Sequence, residues 1–419
     1  MTPRVRPIQV LVVLALINLV AYAARNALFA VYPALIARYH IDNADLGLLQ
    51  TVFMIPHAAA TLGFGWAGDR YDRRRVIAFG MAIAGVAGAL GVIGESYLGL
   101  AVSRALVGFG TAAVVPVANS ILGQVFEGPK KASRMAVFNL GLFVGGVVGF
   151  GFGTAFGFPL VVIVLAVPSI LLCLVVMSVG IPAHAAAPTA AIVVAPGGAR
   201  GDGLGAMLAA FVADARELLR IPTLRWVMVS TTVMSFAAGG YNAWLQAFLV
   251  LEKKLSPEEA TSLLALALCG GLSGILVGAR ISDRLSSRFA EGRLWTIVCG
   301  MLLTAPCASA AILMPPGLAL KLIGVATLFF ISWYHAPMAA TVDDLAPRRL
   351  TVAAQGLVIF TMHMIGTAPS SYIVGLISKQ SSIGTALWFP TGALLVAAGC
   401  MAMATRTFAA DRTRARGEL

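Results

Sequence analysis

Long runs of apolar residues, separated by short segments rich in charge, Gly and Pro, dominate the chain. A membrane-spanning α-helix needs about 20 consecutive, mostly apolar residues, and these runs reach that length. Their continuity differs from the alternating pattern of a transmembrane β-strand. We therefore predict an all-α membrane protein with twelve transmembrane helices, at approximately residues 8–34, 46–69, 76–94, 97–125, 133–156, 159–181, 224–251, 257–282, 293–314, 318–344, 350–378 and 384–406.

The composition agrees with lipid as the main solvent. Of the 419 residues, 59% are hydrophobic and 11% are charged. The first apolar run is too long for a cleaved signal peptide and lacks a small-residue cleavage site, so we expect it to be the first helix. The five cysteines show neither the spacing of a metal site nor paired loop positions. We expect no metal and no other cofactor.

The net charge of +12 is a signal of topology. The basic residues collect in the segments on one side of the predicted spans, and cytoplasmic loops carry such an excess of Lys and Arg. Both termini are therefore predicted in the cytoplasm, and a nucleic-acid partner is not expected. The preference for Arg over Lys and the high Ala content indicate a bacterial cytoplasmic (inner) membrane.

The twelve predicted spans divide into two halves around a long polar segment. We predict an N-terminal six-helix bundle over residues 1–181, a cytoplasmic linker over 182–222 and a C-terminal bundle over 223–419. The Pro/Ala/Gly-rich start of the linker is typical of a flexible connection. Apolar residues between Leu204 and Leu219 recur at helical spacing, which fits either an amphipathic surface helix or a plain spacer.

The loop after the second span carries a specific motif. Its residues run Gly-Trp-Ala-Gly-Asp-Arg-Tyr-Asp-Arg-Arg-Arg from Gly65. The motif resembles the signature loop of the major facilitator superfamily. A degenerate second copy, Asp283-Arg284, follows the eighth span. The resemblance implies a fold of two pseudo-symmetric six-helix bundles around a central cavity. It also implies a cytoplasmic gate that breaks and reforms as the halves rock, made by Gly65, Asp69, Arg70, Arg73, Asp283 and Arg284.

The N-terminal half resembles the spinster-type lipid transporters within that superfamily. Four stretches carry the resemblance: Leu46 to Phe53, Gly68 to Tyr71, Arg104 to Gly108, and Ala136 to Gly141. Sugar-acid and other organic-anion symporters carry similar stretches and remain the competing assignment.

Two arginines, Arg25 and Arg104, fall inside predicted spans. Charged side chains are costly there, so each is a candidate for function. Spinster-type proteins usually have an Asp before the first arginine and a Glu after the span-four glycines, but this chain has Ala24 and Thr111. Without those carboxylates the arginines should attract an anion, because guanidinium binds carboxylate and phosphate in bidentate fashion. The alternative is that each arginine holds helices together through backbone carbonyls.

Further polar residues lie near the middle of the predicted spans. Three histidines there could carry a coupling proton in place of the lost carboxylates, or could be buried and neutral. With the tyrosines and amides they resemble the mixed lining of a site for an amphipathic anion. Besides Arg25 and Arg104, the candidate substrate-binding residues are Tyr22, Asn26, His57, Tyr241, Asn242, Gln246, Tyr334, His335 and His363.

These patterns predict a transporter and not an enzyme, since neither a phosphate-binding P-loop nor an exposed nucleophile arrangement occurs. The leading hypothesis is secondary active or facilitative transport of an organic anion, such as an amphipathic lysolipid, by rocker-switch alternating access. The alternatives are a symporter of small carboxylates or sugar acids, and a non-transporting assembly factor or sensor of the same fold. We expect the partners to be the substrate and membrane lipids, with proton coupling left open, and the protein to be a monomer.

Overall fold

A computed structural model of the protein describes residues 6–93, 95–126, 131–180, 204–347 and 350–416. Contacts within the chain divide it into two units. The first comprises Met1–Thr189 and Ser256–Thr261, and the second comprises Ala190–Leu255 and Ser262–Leu419.

The described part of the first unit up to residue 180 consists of α-helices joined by short connections. Ser96 caps the N-terminus of α5, where its hydroxyl accepts a hydrogen bond of 3.1 Å from the Gly99 amide. The helices are α1 (Pro7–Ala30), α2 (Tyr32–Tyr39), α3 (Asn43–Arg70), α4 (Arg73–Ile93), α5 (Tyr97–Thr111), α6 (Val114–Val125), α7 (Lys131–Phe156) and α8 (Leu160–Ser178).

The described part of the second unit is also helical, with two π-helical segments, Phe248–Glu252 and Met362–Thr367, and a 3₁₀ turn at Ser332–Tyr334. Its α-helices are α9 (Leu204–Leu218), α10 (Pro222–Ala247), α11 (Pro257–Ser286), α12 (Gly292–Leu313), α13 (Leu318–Ile331), α14 (His335–Leu345), α15 (Thr351–Thr361), α16 (Ala368–Gln380) and α17 (Ile383–Arg416). The beginning of α11, up to Thr261, belongs to the first unit.

Each of the twelve predicted spans falls on one of these helices or on consecutive ones, which confirms the all-α membrane class. Among the described residues, eleven helical segments are long and apolar enough to cross a membrane. The predicted seventh span corresponds to α10, which has 26 residues but is not one of the eleven. Polar residues such as Ser235, Asn242 and Gln246 interrupt its apolar run and lower its hydropathy.

Close packing of α1 against α7 organises the first unit. An added Cβ at Gly149 would collide with the backbone of Ala23, so the glycine allows the two helices to approach. The Asn18 side chain crosses the same interface and donates a hydrogen bond of 2.9 Å to the Phe138 carbonyl oxygen. These contacts fix α1, which carries Arg25.

In the second unit α10 packs against α17 and α16 through polar side chains. Ser230 donates a hydrogen bond of 2.7 Å to the Ala397 carbonyl oxygen, and the indole of Trp244 donates one of 2.9 Å to that of Ser371. Both residues are buried. The polar residues of α10 therefore serve helix packing as well as any site.

Part of the predicted linker is described. Residues 182–203 lie outside the described residues, and α9 then covers Leu204–Leu218. Phe211 packs edge-on against Phe360 with ring centroids 5.8 Å apart, and Leu218 is buried in the core of the second unit. The helix is therefore packed on that unit. The boundaries at residues 181 and 222, and a surface position on the membrane, stay predictions.

Candidate functional site

The Arg104 side chain joins α5 to α1. Its Nη1 donates a hydrogen bond of 3.1 Å to the Ala24 carbonyl oxygen, and its Nη2 donates one of 3.2 Å to that of Arg25. Arg104 is 6% exposed. Its Nε is buried and meets no acceptor among the described residues. Two of the guanidinium nitrogens thus bind the backbone beside the second intramembrane arginine.

Phe53 of α3 is the aromatic residue that lies against both arginines and His57. The Arg104 guanidinium carbon lies 4.6 Å from the centre of its ring, and that of Arg25 lies 5.9 Å from it. The His57 ring stacks on Phe53 with a centroid distance of 5.6 Å and an interplanar angle of 16°. The sequence prediction omitted Phe53, although it stands in the stretch that carries the spinster resemblance. These cation–π contacts offset part of the cost of burying the guanidinium groups.

Arg25 has a different environment from Arg104. It is half-buried, and its guanidinium carbon lies 5.9 Å from the centre of the Tyr22 ring, one turn earlier on α1. Its buried Nε has no acceptor among the described residues. Asn26 turns back into the helix, where its Nδ2 donates to the Tyr22 carbonyl oxygen at 2.8 Å. Tyr22, Arg25 and Asn26 are thus brought together with His57 and Arg104.

His57 faces α5 at Gly108 and Thr111. Its Nδ1 lies 3.0 Å from the Gly108 carbonyl oxygen and 3.3 Å from Thr111 Oγ1. A carbonyl oxygen only accepts, so Nδ1 carries the hydrogen in this contact. Gly108 is needed here, because an added Cβ would collide with the Phe53 carbonyl oxygen. This close approach of α3 to α5 brings His57 and Phe53 to Arg104.

Three candidate residues of the second unit share α10. The Tyr241 hydroxyl forms a short hydrogen bond with Thr391 Oγ1 on α17. Asn242 is exposed and Gln246 is 1% exposed, so neighbouring positions of one helix face very different surroundings. Tyr241 is thereby committed to a contact between helices.

The other candidates of the second unit lie at irregular points of helices. The rings of Tyr334 and His335 are 4.0 Å apart, where the 3₁₀ turn meets α14. His363 lies in the π-helical segment Met362–Thr367. Such π-helical segments occur frequently at functional sites. Participation of these three residues in substrate binding stays a prediction.

The signature loop after α3 is tightly folded around Arg73. Arg73 is 6% exposed, and its Nε donates a hydrogen bond of 3.2 Å to the Gly68 carbonyl oxygen. Gly65 lies in the half-buried part of α3, and the side chains of Asp69 and Arg70 lie outside the described residues. Arg73 therefore ties the start of α4 to the end of α3.

The second copy of the motif lies at the end of α11, where Asp283 and Arg284 are both exposed. The structure tests no gating role for either copy, so the gate stays a prediction. The described residues include no group of three or more His, Cys, Asp or Glu side chains arranged to hold a metal ion.

The fold and these motifs define a class of membrane transporter. The sequence profile described as the Major Facilitator Superfamily matches residues 14–371. The chain belongs to this superfamily, which confirms the sequence-based assignment and makes it a multi-pass membrane protein.

Similar proteins include spinster proteins, as the N-terminal stretches predicted. Protein spinster homolog 3 of Danio rerio is 27% identical over 395 residues, covering 88% of this chain and 76% of the relative. Protein spinster homolog 1 of Homo sapiens is 27% identical over 411 residues, covering 90% of this chain and 74% of the relative. The sphingosine-1-phosphate transporter SPNS2 of Danio rerio is 26% identical over 401 residues, covering 88% and 76%.

Solved structures share the fold. A bacterial homolog of the human lysosomal transporter Spinster superposes with a TM-score of 0.79 at 20% identity, covering 97% of this chain and 98% of that one. A mutant of the nucleoside transporter NupG superposes with a TM-score of 0.74 at 13% identity, covering 97% of this chain and 100% of that one. At these identities the similarity concerns the fold alone.

Proposed function

We propose that this protein is a secondary transporter of an organic anion and that Arg25 binds the anionic group of the substrate. One observation carries the proposal. The Arg25 guanidinium lies within a membrane-spanning helix beside the rings of Tyr22 and Phe53, and its buried Nε has no acceptor among the described residues. A guanidinium in that position attracts an anion strongly, because a low-dielectric surrounding screens its charge poorly.

Arg104 has a different role in this proposal. Its two hydrogen bonds to the backbone of residues 24 and 25 hold the part of α1 that carries Arg25. Arg104 is thus a positioning residue, and Arg25 is the residue in contact with substrate. The sequence offers two explanations for these arginines, anion binding and helix packing. In this proposal Arg25 binds the anion and Arg104 holds helices together.

For the substrate we propose an amphipathic anion with a phosphate head and an apolar chain, such as a lysolipid. Guanidinium binds phosphate through two parallel hydrogen bonds. Tyr22, which is half-buried beside it, offers apolar surface to the adjoining part of the substrate. Relatives named as sphingosine-1-phosphate transporters favour this class over small carboxylates, which the same guanidinium also suits.

Transport would occur by alternating access, with residues 1–181 rocking against 223–419 in the cytoplasmic membrane of a bacterium and both termini in the cytoplasm. Without a carboxylate in the middle of any predicted span, His57 is the candidate for a coupling proton. Its Nδ1 is committed to the Gly108 carbonyl oxygen, so Nε2 is the nitrogen that would gain and lose the proton.

The test is uptake into liposomes reconstituted with purified protein, with and without an imposed pH gradient. We expect uptake of an anionic lysophospholipid and its loss in Arg25→Gln, with partial recovery in Arg25→Lys. Arg38→Gln is the matched control, since Arg38 pairs with Glu95 at 3.5 Å near the helix ends. His57→Gln should remove any dependence on the pH gradient and leave downhill movement.

Competition separates the substrate classes. Inhibition of uptake by short-chain carboxylates but not by lysophospholipids would favour the symporter of small acids. If no anion class moves, and if a deletion strain is complemented equally by Arg25→Gln and Arg104→Gln, the transport proposal is wrong and a sensor or assembly role replaces it.

A further inference from the structure

The helix α9 has a packed side and an exposed side. Phe211, Ala215 and Leu218 pack on the hydrophobic core of the second unit. Because residues three and four positions apart share one side of a helix, the remaining positions point away from that unit. We call the exposed residues of this second side the outer face of α9. They are Gly205, Ala209, Val212, Ala213 and Arg216, together with Leu219 and Arg220, which directly follow the helix.

The charges of this segment are divided between the two sides. Arg216 and Arg220 are exposed on the outer face, whereas Asp214 is buried and Glu217 is half-buried. Among its described side chains the outer face therefore carries positive charge and no carboxylate. Solubility does not require this separation, since acidic residues keep an exposed surface soluble at least as well as basic ones.

Apolar side chains stand beside the arginines of the outer face. Val212 is 45% exposed and Leu219 is 41% exposed. They precede Arg216 by four positions and follow it by three, so the three side chains are neighbours on one side of the helix. Basic and aliphatic groups combined in this way are typical of a helix that lies in the membrane interface. There the aliphatic groups enter the headgroup region and the cations attract anionic lipids.

The connection to α10 places this face near the end of a membrane-spanning helix. Leu219, Arg220 and Ile221 join α9 to α10, the helix of the predicted seventh span, and the Ile221 amide donates a hydrogen bond of 3.1 Å to the Leu218 carbonyl oxygen. Because the turn is so short, α9 stays at the level where α10 begins. Trp226, one turn into α10, is also exposed, and tryptophan is enriched at the boundary between membrane and water.

We propose that the outer face of α9 binds the headgroups of anionic phospholipids in the leaflet where α10 begins. Arg216 and Arg220 bind the phosphate groups, and Val212 and Leu219 enter the boundary between headgroups and acyl chains. Such a surface matches both the cations and the aliphatic groups, whereas an acidic polypeptide segment would match the cations alone. The proposal does not depend on the transported substrate or on the role of Arg25.

Hydrogen–deuterium exchange of the full-length protein in lipid nanodiscs tests the proposal without any substrate. Mass spectrometry compares the exchange of the α9 amides in phosphatidylcholine alone and in phosphatidylcholine mixed with anionic phosphatidylglycerol. We expect slower exchange in the anionic nanodiscs by roughly ten- to thirtyfold, since each arginine near an anionic surface contributes about fivefold in affinity. High salt should remove most of this difference, because it screens exposed charges.

Two double variants identify the residues responsible. Arg216→Gln with Arg220→Gln should lose the lipid-dependent difference. Arg216→Lys with Arg220→Lys should keep most of it, because lysine retains the positive charge. The matched control is Arg280→Gln with Arg288→Gln, which removes the same charge from exposed positions on α11 and just after it. Unchanged exchange of the α10 amides shows that each variant is folded.

The proposal is wrong if α9 exchanges equally in both lipid compositions, or if the double glutamine variant keeps the full difference. Slow exchange of α9 in phosphatidylcholine alone, with no further change on addition of phosphatidylglycerol, would mean that another surface covers the outer face. That result would also overturn the proposal.

Discussion

Arg104 donates a hydrogen bond of 3.2 Å to the backbone carbonyl oxygen of Arg25, so one intramembrane arginine holds the peptide group of the other. Both guanidinium groups also lie on the ring of Phe53. This relationship gives the two arginines different roles although the sequence presents them alike. It predicts that their removal has different consequences.

Replacement of Arg104 should lower stability more than replacement of Arg25. Arg104→Gln loses two charge-assisted hydrogen bonds to the backbone of α1, a loss on the order of 3 kcal/mol. Arg25→Gln removes a cation–π partner but no hydrogen bond to Arg104, whose acceptor is the backbone. Thermal unfolding of both purified variants compares them. Equal loss of stability would contradict the separate roles.

The close approach of α3 to α5 should depend on Gly108. Gly108→Ala directs its methyl group at the Phe53 carbonyl oxygen, so the two helices must separate and carry Phe53 and His57 away from Arg104. We expect a melting temperature several degrees lower and weaker binding of the anionic substrate. The matched control is Gly63→Ala on α3, where nothing lies within 4 Å of the added Cβ. If both variants behave alike, the close approach is not required.

Asp344 should stabilise the second unit through two arginines. Arg293 forms a short ion pair with its carboxylate, and Arg412 lies 3.4 Å from the same oxygen. Asp344→Asn removes the negative charge that the two cations share, so we expect a loss of about 1–3 kcal/mol in the free energy of unfolding. Asp343→Asn, which alters an exposed contact with Gln355, is the control. Urea or thermal titration in detergent measures both variants.

Asp72, in the loop between α3 and α4, should make the free energy of unfolding depend on pH. Hydrogen bonds from the Arg74 side chain, the closest at 2.8 Å, lower the pKa of Asp72 from its ordinary value. A carboxyl group whose pKa is lower in the folded state than in the unfolded state stabilises the fold at a pH above the unfolded-state pKa. This stabilisation is lost as the pH falls through the folded-state pKa.

Asp72→Asn should therefore cost about 0.2–1 kcal/mol at pH 7, since the pair is partly exposed. The difference from wild type should shrink below about pH 4, where the unfolded carboxyl becomes protonated. Arg74→Gln should show the same pH dependence, and the double variant should cost no more than either single one. A difference that stays constant between pH 7 and pH 3 would rule out the ion pair as its source.

Much of the transmembrane architecture could be predicted from the sequence because the length of an apolar run is a local property. One predicted span differs from the others in its hydropathy. The predicted seventh span corresponds to α10, whose polar residues bring its hydropathy below that of the eleven other segments, yet Ser230 and Trp244 pair with α17 and α16. Polar residues inside a span remain compatible with the fold when neighbouring helices satisfy them, and a local pattern does not show these neighbours.

The sequence by itself determined the superfamily, the helices and the presence of Arg25 and Arg104 in predicted spans that have no carboxylate near their middle. Each of these properties is readable from consecutive residues. Only the tertiary structure decided how the arginines differ, because their surroundings come from helices far apart in the chain. Phe53 and the carbonyl groups of Ala24 and Arg25 meet Arg104 through packing alone. In a low-dielectric interior, such neighbours determine what a buried charge binds.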